Sequence, residues 1–284
     1  MFQILTDSSC DLSAELAARL KLDVVSLSIE MDGVVYTGSD MSPKELYDHL
    51  RGGKLPKTSA VNPEGWAAAM RPRLEAGLDL LVLTFSSGLS ATYQSAVIAA
   101  EELLEEFPDR KLIVIDTLCA SRGQGLLVYS AAKLRDEGRS IEDTAAWVED
   151  HKRNLCHWVT VEDLMHLKRG GRIGAATAVV GTMLNIKPII RVDDEGKLET
   201  TAKCRGRKAA LNYLLDRMAE SWIPELNDTV YIGHGDCMAD AEYLKAGILE
   251  RFGDREVLID YVGAVIGAHT GPGVVFISFY GKQR

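Results

Sequence analysis

The chain has 284 residues, 46% of them hydrophobic and 26% charged. That balance belongs to an ordinary globular protein and excludes a disordered one. Its 41 acidic residues outweigh 32 lysines and arginines, a net charge of −9, which argues against general nucleic-acid binding because phosphate counterions are displaced by a surplus of cations.

Residues 2–5 form an apolar run that empties into Thr6-Asp7-Ser8-Ser9, a buried strand followed by a polar loop. Asp11 or Ser13 caps a helix with Leu12, Leu16 and Leu20 at helical spacing. Val24–Glu30, the turn Asp32-Gly33 and Val34–Thr37 read as a hairpin. Ser42-Pro43-Lys44-Glu45 is a capping box with proline at the first helical position, and its helix runs to about Leu50. A linker follows, and Asn62-Pro63-Glu64 starts the next helix. Leu78–Phe85 is an apolar strand, after which residues 86–96 turn into a helix ending near Glu106. Lys111–Thr117 is another buried strand, with a helix after Arg122 and another started by Ser140 and Asp143 and ending near Asn154. Strands alternating with helices specify a mostly parallel α/β domain over residues 1–155.

After Cys156 the rhythm changes. Trp158–Val161 is strand-like, residues 175–184 are helical, and Ile189–Val192 pairs with Lys197–Thr201 across Asp193-Asp194-Glu195-Gly196. Helices at 207–220 and 239–252 alternate with strands at 229–233, 256–262 and 274–280. Residues 156–284 are thus expected to form a C-terminal α+β domain.

Five cysteines, at 10, 119, 156, 204 and 237, are an odd number without a CxxC, which indicates neither a disulfide framework nor a zinc site. The start MFQILTDSS has no cationic segment before an apolar one, and runs such as Leu80–Leu83 fall far short of the ~20 residues a membrane span needs. A cytoplasmic protein is expected.

Ligands of α/β sheets bind at the C-terminal ends of the strands, and the unusual residues of this chain gather in such loops. Thr6-Asp7-Ser8-Ser9 and Thr58-Ser59 are each ordinary turn or loop chemistry by themselves. Ser86-Ser87-Gly88-Leu89-Ser90-Ala91-Thr92 places hydroxyls at a helix start, where free N–H groups favour a phosphate or a carboxylate; Ser90 can be cap and ligand together. Residues 263–273 carry four glycines and a proline, which read as tight turns around His269 and Thr270. Lys168, Arg169, Arg172, Lys203, Arg205, Arg207 and Lys208 form two cationic clusters in an acidic chain, either a solvated face or a docking site, and Asp163 is placed to orient one of the arginines. No P-loop, HExxH, GxSxG or GxGxxG is present, so the residues alone support an anion-headed small-ligand site and no catalytic machinery.

Taken in order, Thr6-Asp7-Ser8-Ser9, Lys57-Thr58-Ser59, SSGLSATYQSA (86–96), DTLCASRGQG (116–125), DLMHLKRGGRI (163–173), LNIKPII (184–190), KCRGRK (203–208) and GAHTGPG (267–273) resemble the DegV family, the fatty-acid-binding subunits of bacterial fatty acid kinase. The resemblance implies a two-domain fold enclosing one long-chain fatty acid in an apolar tunnel, with no cofactor. It implies that the carboxylate is held by Thr58, Ser59, Ser90 and His269, with Ser87 and Thr270 beside them. It further implies a non-catalytic subunit that presents the acid to a separate kinase for conversion to acyl-phosphate, which then enters phospholipid synthesis. Arg169, Arg172, Lys203, Arg205 and Arg207 are the expected docking residues, with transient membrane-surface contact and no nucleic acid among the partners. One departure is visible: the family often reads TSQPS where this chain has Thr58-Ser59-Ala60-Val61-Asn62-Pro63, which keeps the hydroxyls and alters the following turn. The competing enzymatic reading makes His269 the nucleophile of a phosphoryl or carbonyl carrier related to dihydroxyacetone kinase; no base to activate the imidazole is evident.

Overall fold

The computed structural model describes residues 2–37, 40–162, 164–174 and 185–284. The chain begins with strands β1 (Phe2–Asp7), β2 (Leu22–Val25), β3 (Ser28–Met31), β4 (Val34–Thr37), β5 (Lys57–Ser59), β6 (Asp79–Thr84) and β7 (Leu112–Asp116). Helices α1 (Ala14–Arg19), α2 (Pro43–Arg51), α3 (Pro63–Glu75) and α4 (Thr92–Glu106) lie between them, followed by α5 (Ser121–Asp136) and α6 (Ile141–His151). Ser13, Ser42, Asn62 and Ser140 cap α1, α2, α3 and α6 by accepting a backbone N–H three residues on, each worth about 1 kcal/mol.

Four strands run parallel in the order β2-β1-β6-β7. The central strands β1 and β6 are apolar over Ile4–Leu5 and Leu80–Leu83 because both faces are covered there. Leu5, Leu80 and Val82 pack with Met70, Leu74 and Ala99 of α3 and α4, while Ile4, Leu81 and Leu83 pack with Leu16, Leu127 and Val148 of α1, α5 and α6. A small antiparallel sheet, β4-β3-β5, stands apart, its hairpin turned by Asp32 and Gly33 in left-handed conformations.

The remaining elements are β8 (Leu155–Thr160), α7 (Met165–Arg169), β9 (Ile186–Val192), β10 (Leu198–Arg205), α8 (Arg207–Ser221), β11 (Thr229–His234), α9 (Met238–Phe252), β12 (Glu256–Tyr261), α10 (Ala264–Thr270) and β13 (Val275–Tyr280). Their sheet runs β10-β9-β8-β13-β11-β12, with only β11 and β12 parallel. Helices α8 and α9 bury Leu211, Leu214, Leu244 and Ile248 on one face. Helix α5 packs on the other, so it lies between the two large sheets. Its glycines allow this: a Cβ at Gly123 would overlap the His157 ring, and one at Gly125 would stand 2.6 Å from the Cys10 carbonyl. Among the described residues no helix is long and apolar enough to cross a membrane.

Several expectations are corrected. Residues 57–59 are not loop but a strand, because β3 offers its free edge to them. Residues 24–30 are divided: Val24 and Val25 extend the parallel sheet, and the hairpin starts at Ser28. The glycine-rich segment 263–273 is mostly helical. Gly263 and Gly267 serve close packing there, a Cβ at Gly267 falling 2.7 Å from the Tyr47 hydroxyl, and only Gly271 and Gly273 make left-handed turns. Helix α4 starts at Thr92 rather than Ser90. The helix expected at 175–184 and the role expected of Asp163 lie outside the described residues.

Candidate functional site

Strand alternation aims Thr58 inward. On β5 it lies opposite Ile29, half-buried, while Ser59 next to it is exposed. Thr58 Oγ1 meets His269 Nε2 at 2.7 Å. Helix α10, which carries that histidine, packs against α2 and α7, and Gly170 is glycine because a Cβ there would overlap the imidazole. Arg172 closes the cluster. Its Nε donates to the Leu89 carbonyl at 3.1 Å and its Nη1 to the Gly170 carbonyl at 2.5 Å.

The loop after β6 is positioned from both sides. Asp7 accepts the Phe85 N–H at 2.7 Å, Ser86 donates to the Gly196 carbonyl at 2.7 Å, and the Gly88 N–H donates to Ser86 Oγ at 3.1 Å. Gly88 lies so close to the β9–β10 turn that a Cβ would fall 2.8 Å from the Gly196 carbonyl. This arrangement brings Ser90 beside the cluster, its hydroxyl 2.8 Å from Thr92 Oγ1.

These groups head a cavity of about 250 Å³ whose walls come from the six-stranded sheet, the loops that follow strands of the parallel sheet, and helix α10. Phe85, Leu89, Val159, Ile190, Val192 and Phe276 make it mainly apolar. A second, outer pocket of about 410 Å³ shares Thr58, Arg172 and His269 and adds Lys57, His166 and Arg169, a cationic vestibule. Burial, then the neighbouring Arg172 charge, pushes the His269 pKa down to about 4, so the imidazole is neutral at physiological pH. Burial likewise works against the charge of Arg172, which makes an anion beside it favourable.

Of the residues expected at a carboxylate, Thr58, Ser90, His269 and Thr270 line the cavity. Thr270 does so with its hydroxyl already donated to the Ile266 carbonyl. Ser59 and Ser87 do not line it: both are exposed, and the Ser87 N–H turns to Asp116. The expected docking cations also divide. Lys203 and Arg205 are exposed on β10, and Arg169 borders the vestibule. Arg172 belongs to the cavity instead. Arg207 is committed internally, to Asp240 at 2.9 Å and the Gly273 carbonyl at 2.6 Å. Sequence reasoning missed Arg172 as a cavity residue, although Gly170-Gly171 before it signals a close backbone approach; His157 and Ser121 at the inner wall gave no signal. Among the described residues no group of three His, Cys, Asp or Glu is arranged to hold a metal ion.

Fold and site together define an α/β protein enclosing a mainly apolar cavity between its six-stranded sheet and the loops of its parallel-sheet half. The model of the DegV family, described as an uncharacterised protein family, matches residues 1–282. The DegV domain-containing protein CPE0026 of Clostridium perfringens is 42% identical over 286 residues, covering 100% of this chain and 98% of that protein. A fatty-acid-binding DegV family protein from Thermus thermophilus superposes with a TM-score of 0.88 at 35% identity, over 99% of both chains. A stearic acid-binding protein from Eubacterium ventriosum does so with a TM-score of 0.88 at 26% identity, again over 99% of both. The chain belongs to the DegV family.

Proposed function

We propose that the cavity holds one long-chain fatty acid, its carboxylate at Thr58, Ser90, His269 and Arg172 and its chain among the apolar residues of the six-stranded sheet, the loops facing it and helix α10. The observation that carries this reading is an apolar interior joined to a hydrogen-bonded polar cluster that faces the vestibule. A buried carboxylate is costly without several aimed donors, and Arg172 supplies the charged one. When Thr58 accepts from His269 Nε2, its own hydroxyl proton is available to the ligand. The chain contributes about 0.8 kcal/mol per buried methylene, so it supplies affinity while the head sets which end faces outward. The fatty-acid-binding relatives from Thermus thermophilus and Eubacterium ventriosum support this reading.

The reading extends to presentation. The protein performs no chemistry alone, and a separate kinase subunit phosphorylates the carboxylate where Lys57, Arg169 and Arg172 offer cations to incoming phosphoryl oxygens. Lys203 and Arg205 are the docking residues for that partner, and two domains, 1–155 and 156–284, share the ligand. The histidine-nucleophile reading ranks lower: His269 Nε2 is engaged by Thr58, and the hydrogen bonds described give its ring no carboxylate.

Native mass spectrometry of protein purified from cells tests this. A non-covalent adduct with the mass of a fatty acid of roughly C14–C18, the range that the resemblance to the DegV family suggests, is expected. Ligand-free protein phosphorylated at His269 would overturn the carrier reading.

A further inference from the structure

Strand register makes the depth of the cavity countable. Its head lies at His269 and Thr270, and Val274, just before β13, lines it next in the chain. One step along the sheet stand Phe276 of β13, Val159 of β8 and Ile190 of β9, paired across the strands and all lining the cavity. Side chains two residues apart on a strand share a face, so the next step brings His157 of β8 and Val192 of β9, which also line it. The step after that is Leu155 opposite Tyr280, and neither lines the cavity. Both pack instead in the core with Leu127 and Val148. His157 therefore stands in the last row of the sheet that faces the ligand space.

At that depth the ring bridges the sheet and the helix above it. The Ala120 N–H, just before α5, donates to His157 Nε2 at 3.4 Å, and Ala120 and Ser121 line the cavity from the opposite side. Helix α5 receives the ring at Gly123, where a Cβ would overlap the imidazole. Only 3% of His157 is exposed. Burial, then the Arg284 charge, pushes its pKa down to about 3 and leaves the ring neutral, a surface suited to the methyl end of a chain. A ring held between two elements in a close-packed interior yields little to an occupant that is too long.

We propose that His157 is the end-stop of the cavity and sets the longest acyl chain that the protein accepts. The proposal rests on the fatty-acid reading above and deepens it, from long-chain acids as a class to acids below a definite length. The head cluster fixes one end of the ligand, and the imidazole bounds the other.

The test is a chain-length series. Straight-chain saturated acids from dodecanoic to icosanoic displace cis-parinaric acid, a fluorescent fatty acid, from delipidated protein. In the wild type, affinity should rise about fourfold with each added methylene and then stop rising at one length. His157→Ala should move that limit outward by about two methylenes, the depth that the imidazole fills. Acids just beyond the wild-type limit should then bind the variant about tenfold more tightly than they bind the wild type. His157→Phe, which restores the bulk without the ring nitrogens, should bring the limit back. Should His157→Ala fail to fold, His157→Asn removes part of the ring and should move the limit by about one methylene. Three results would overturn the end-stop and leave fatty-acid binding standing: no limit in the wild type, a limit that stays in place in the folded smaller variants, or a loss spread evenly over all lengths. Failure of every acid to displace the probe from the wild type would instead sink the fatty-acid reading, and the end-stop with it.

Discussion

Two clusters of hydroxyls and ionisable groups occupy the interior near the ends of the parallel strands, and they differ in how far they are satisfied. Around Asp7 the network is closed. Its carboxylate accepts the Phe85 and Ser9 N–H groups and the Ser9 hydroxyl, Ser9 meets Gln124 at 2.9 Å, Gln124 donates to Thr6, and Thr6 donates to the Leu83 carbonyl. Around His269 the network is open: Thr58 and the imidazole hold each other, and both face the cavity and the vestibule. Burial alone does not separate a scaffold cluster from a ligand cluster. Asp7 is the more deeply buried of the two, with burial pushing its carboxyl up, and it serves only to fix the loop that carries Ser90.

The largest effect expected is on the closed side. Asp7→Ala removes an acceptor from several buried donors at once and should lower the unfolding free energy by about 3 kcal/mol, read by urea denaturation. An unchanged midpoint would mean that the closed network carries no stability, and the contrast would fail. On the open side, Thr58→Val combined with His269→Ala should weaken fatty-acid affinity by about ten- to a hundredfold while shifting stability by less than about 1 kcal/mol, since their mutual hydrogen bond is removed with both partners and neither is left unsatisfied. Equal loss of stability and affinity would place these residues in the scaffold.

Two buried titratable groups near the cavity also predict opposite pH slopes. The His269 pKa is held down at about 4 against an ordinary 6.5, so the unfolded ring binds a proton that the folded one rejects. Stability from this residue is present above about pH 6.5 and is lost as the pH falls toward 4, by up to about 1.4 kcal/mol per unit. Asp11, buried behind the cavity wall, has its pKa pushed up from 3.8 to about 7 by burial, against the pull of Ser121 and Arg122. Its native state keeps the proton, and that contribution disappears as the pH rises through 7. Urea titrations of delipidated protein from pH 4 to 8 should show His269→Gln flattening the acid-side loss and Asp11→Asn flattening the loss near neutrality. A slope unaltered in both variants would remove the distinction.

The smallest effect lies at the surface. On the presentation reading proposed above, Lys203→Glu with Arg205→Glu should reduce phosphorylation of a bound fatty acid by a separate kinase a few-fold, more at low salt, through slower encounter, and leave lipid affinity unchanged. Parallel loss of lipid binding would place these cations in the site and not on a docking face.

Much of the fold was legible because its signals are local. Ser42-Pro43, Asn62-Pro63 and Ser140 announce helices that begin where expected, and the apolar runs of β1, β6 and β7 declare strands covered on both faces. What misled were glycines and short segments. Gly263 and Gly267 read as turn-formers but serve the packing of α10, and Lys57–Ser59 is too short to show an alternation. Among the site residues, hydroxyls grouped in loops were visible, but which of them face a cavity was not. Arg172 illustrates the limit: beside Arg169 it looks like one more surface cation, yet it turns inward to Leu89 and Gly170.

By itself the sequence determined the order of helices and strands, the acidic body with its local cations, and the loops in which polar chemistry gathers. All of these follow from spacing along the chain. Only the tertiary structure decided that Thr58 points inward and Ser59 outward, that Arg172 joins the cavity while Arg207 ties α8 to the loop at Gly273, and that Asp7 is closed where His269 is open. Those outcomes depend on contacts between residues as far apart as 211 positions, such as Thr58 and His269. Hydrogen-bond satisfaction is a property of such distant neighbours and leaves no periodic trace in the chain.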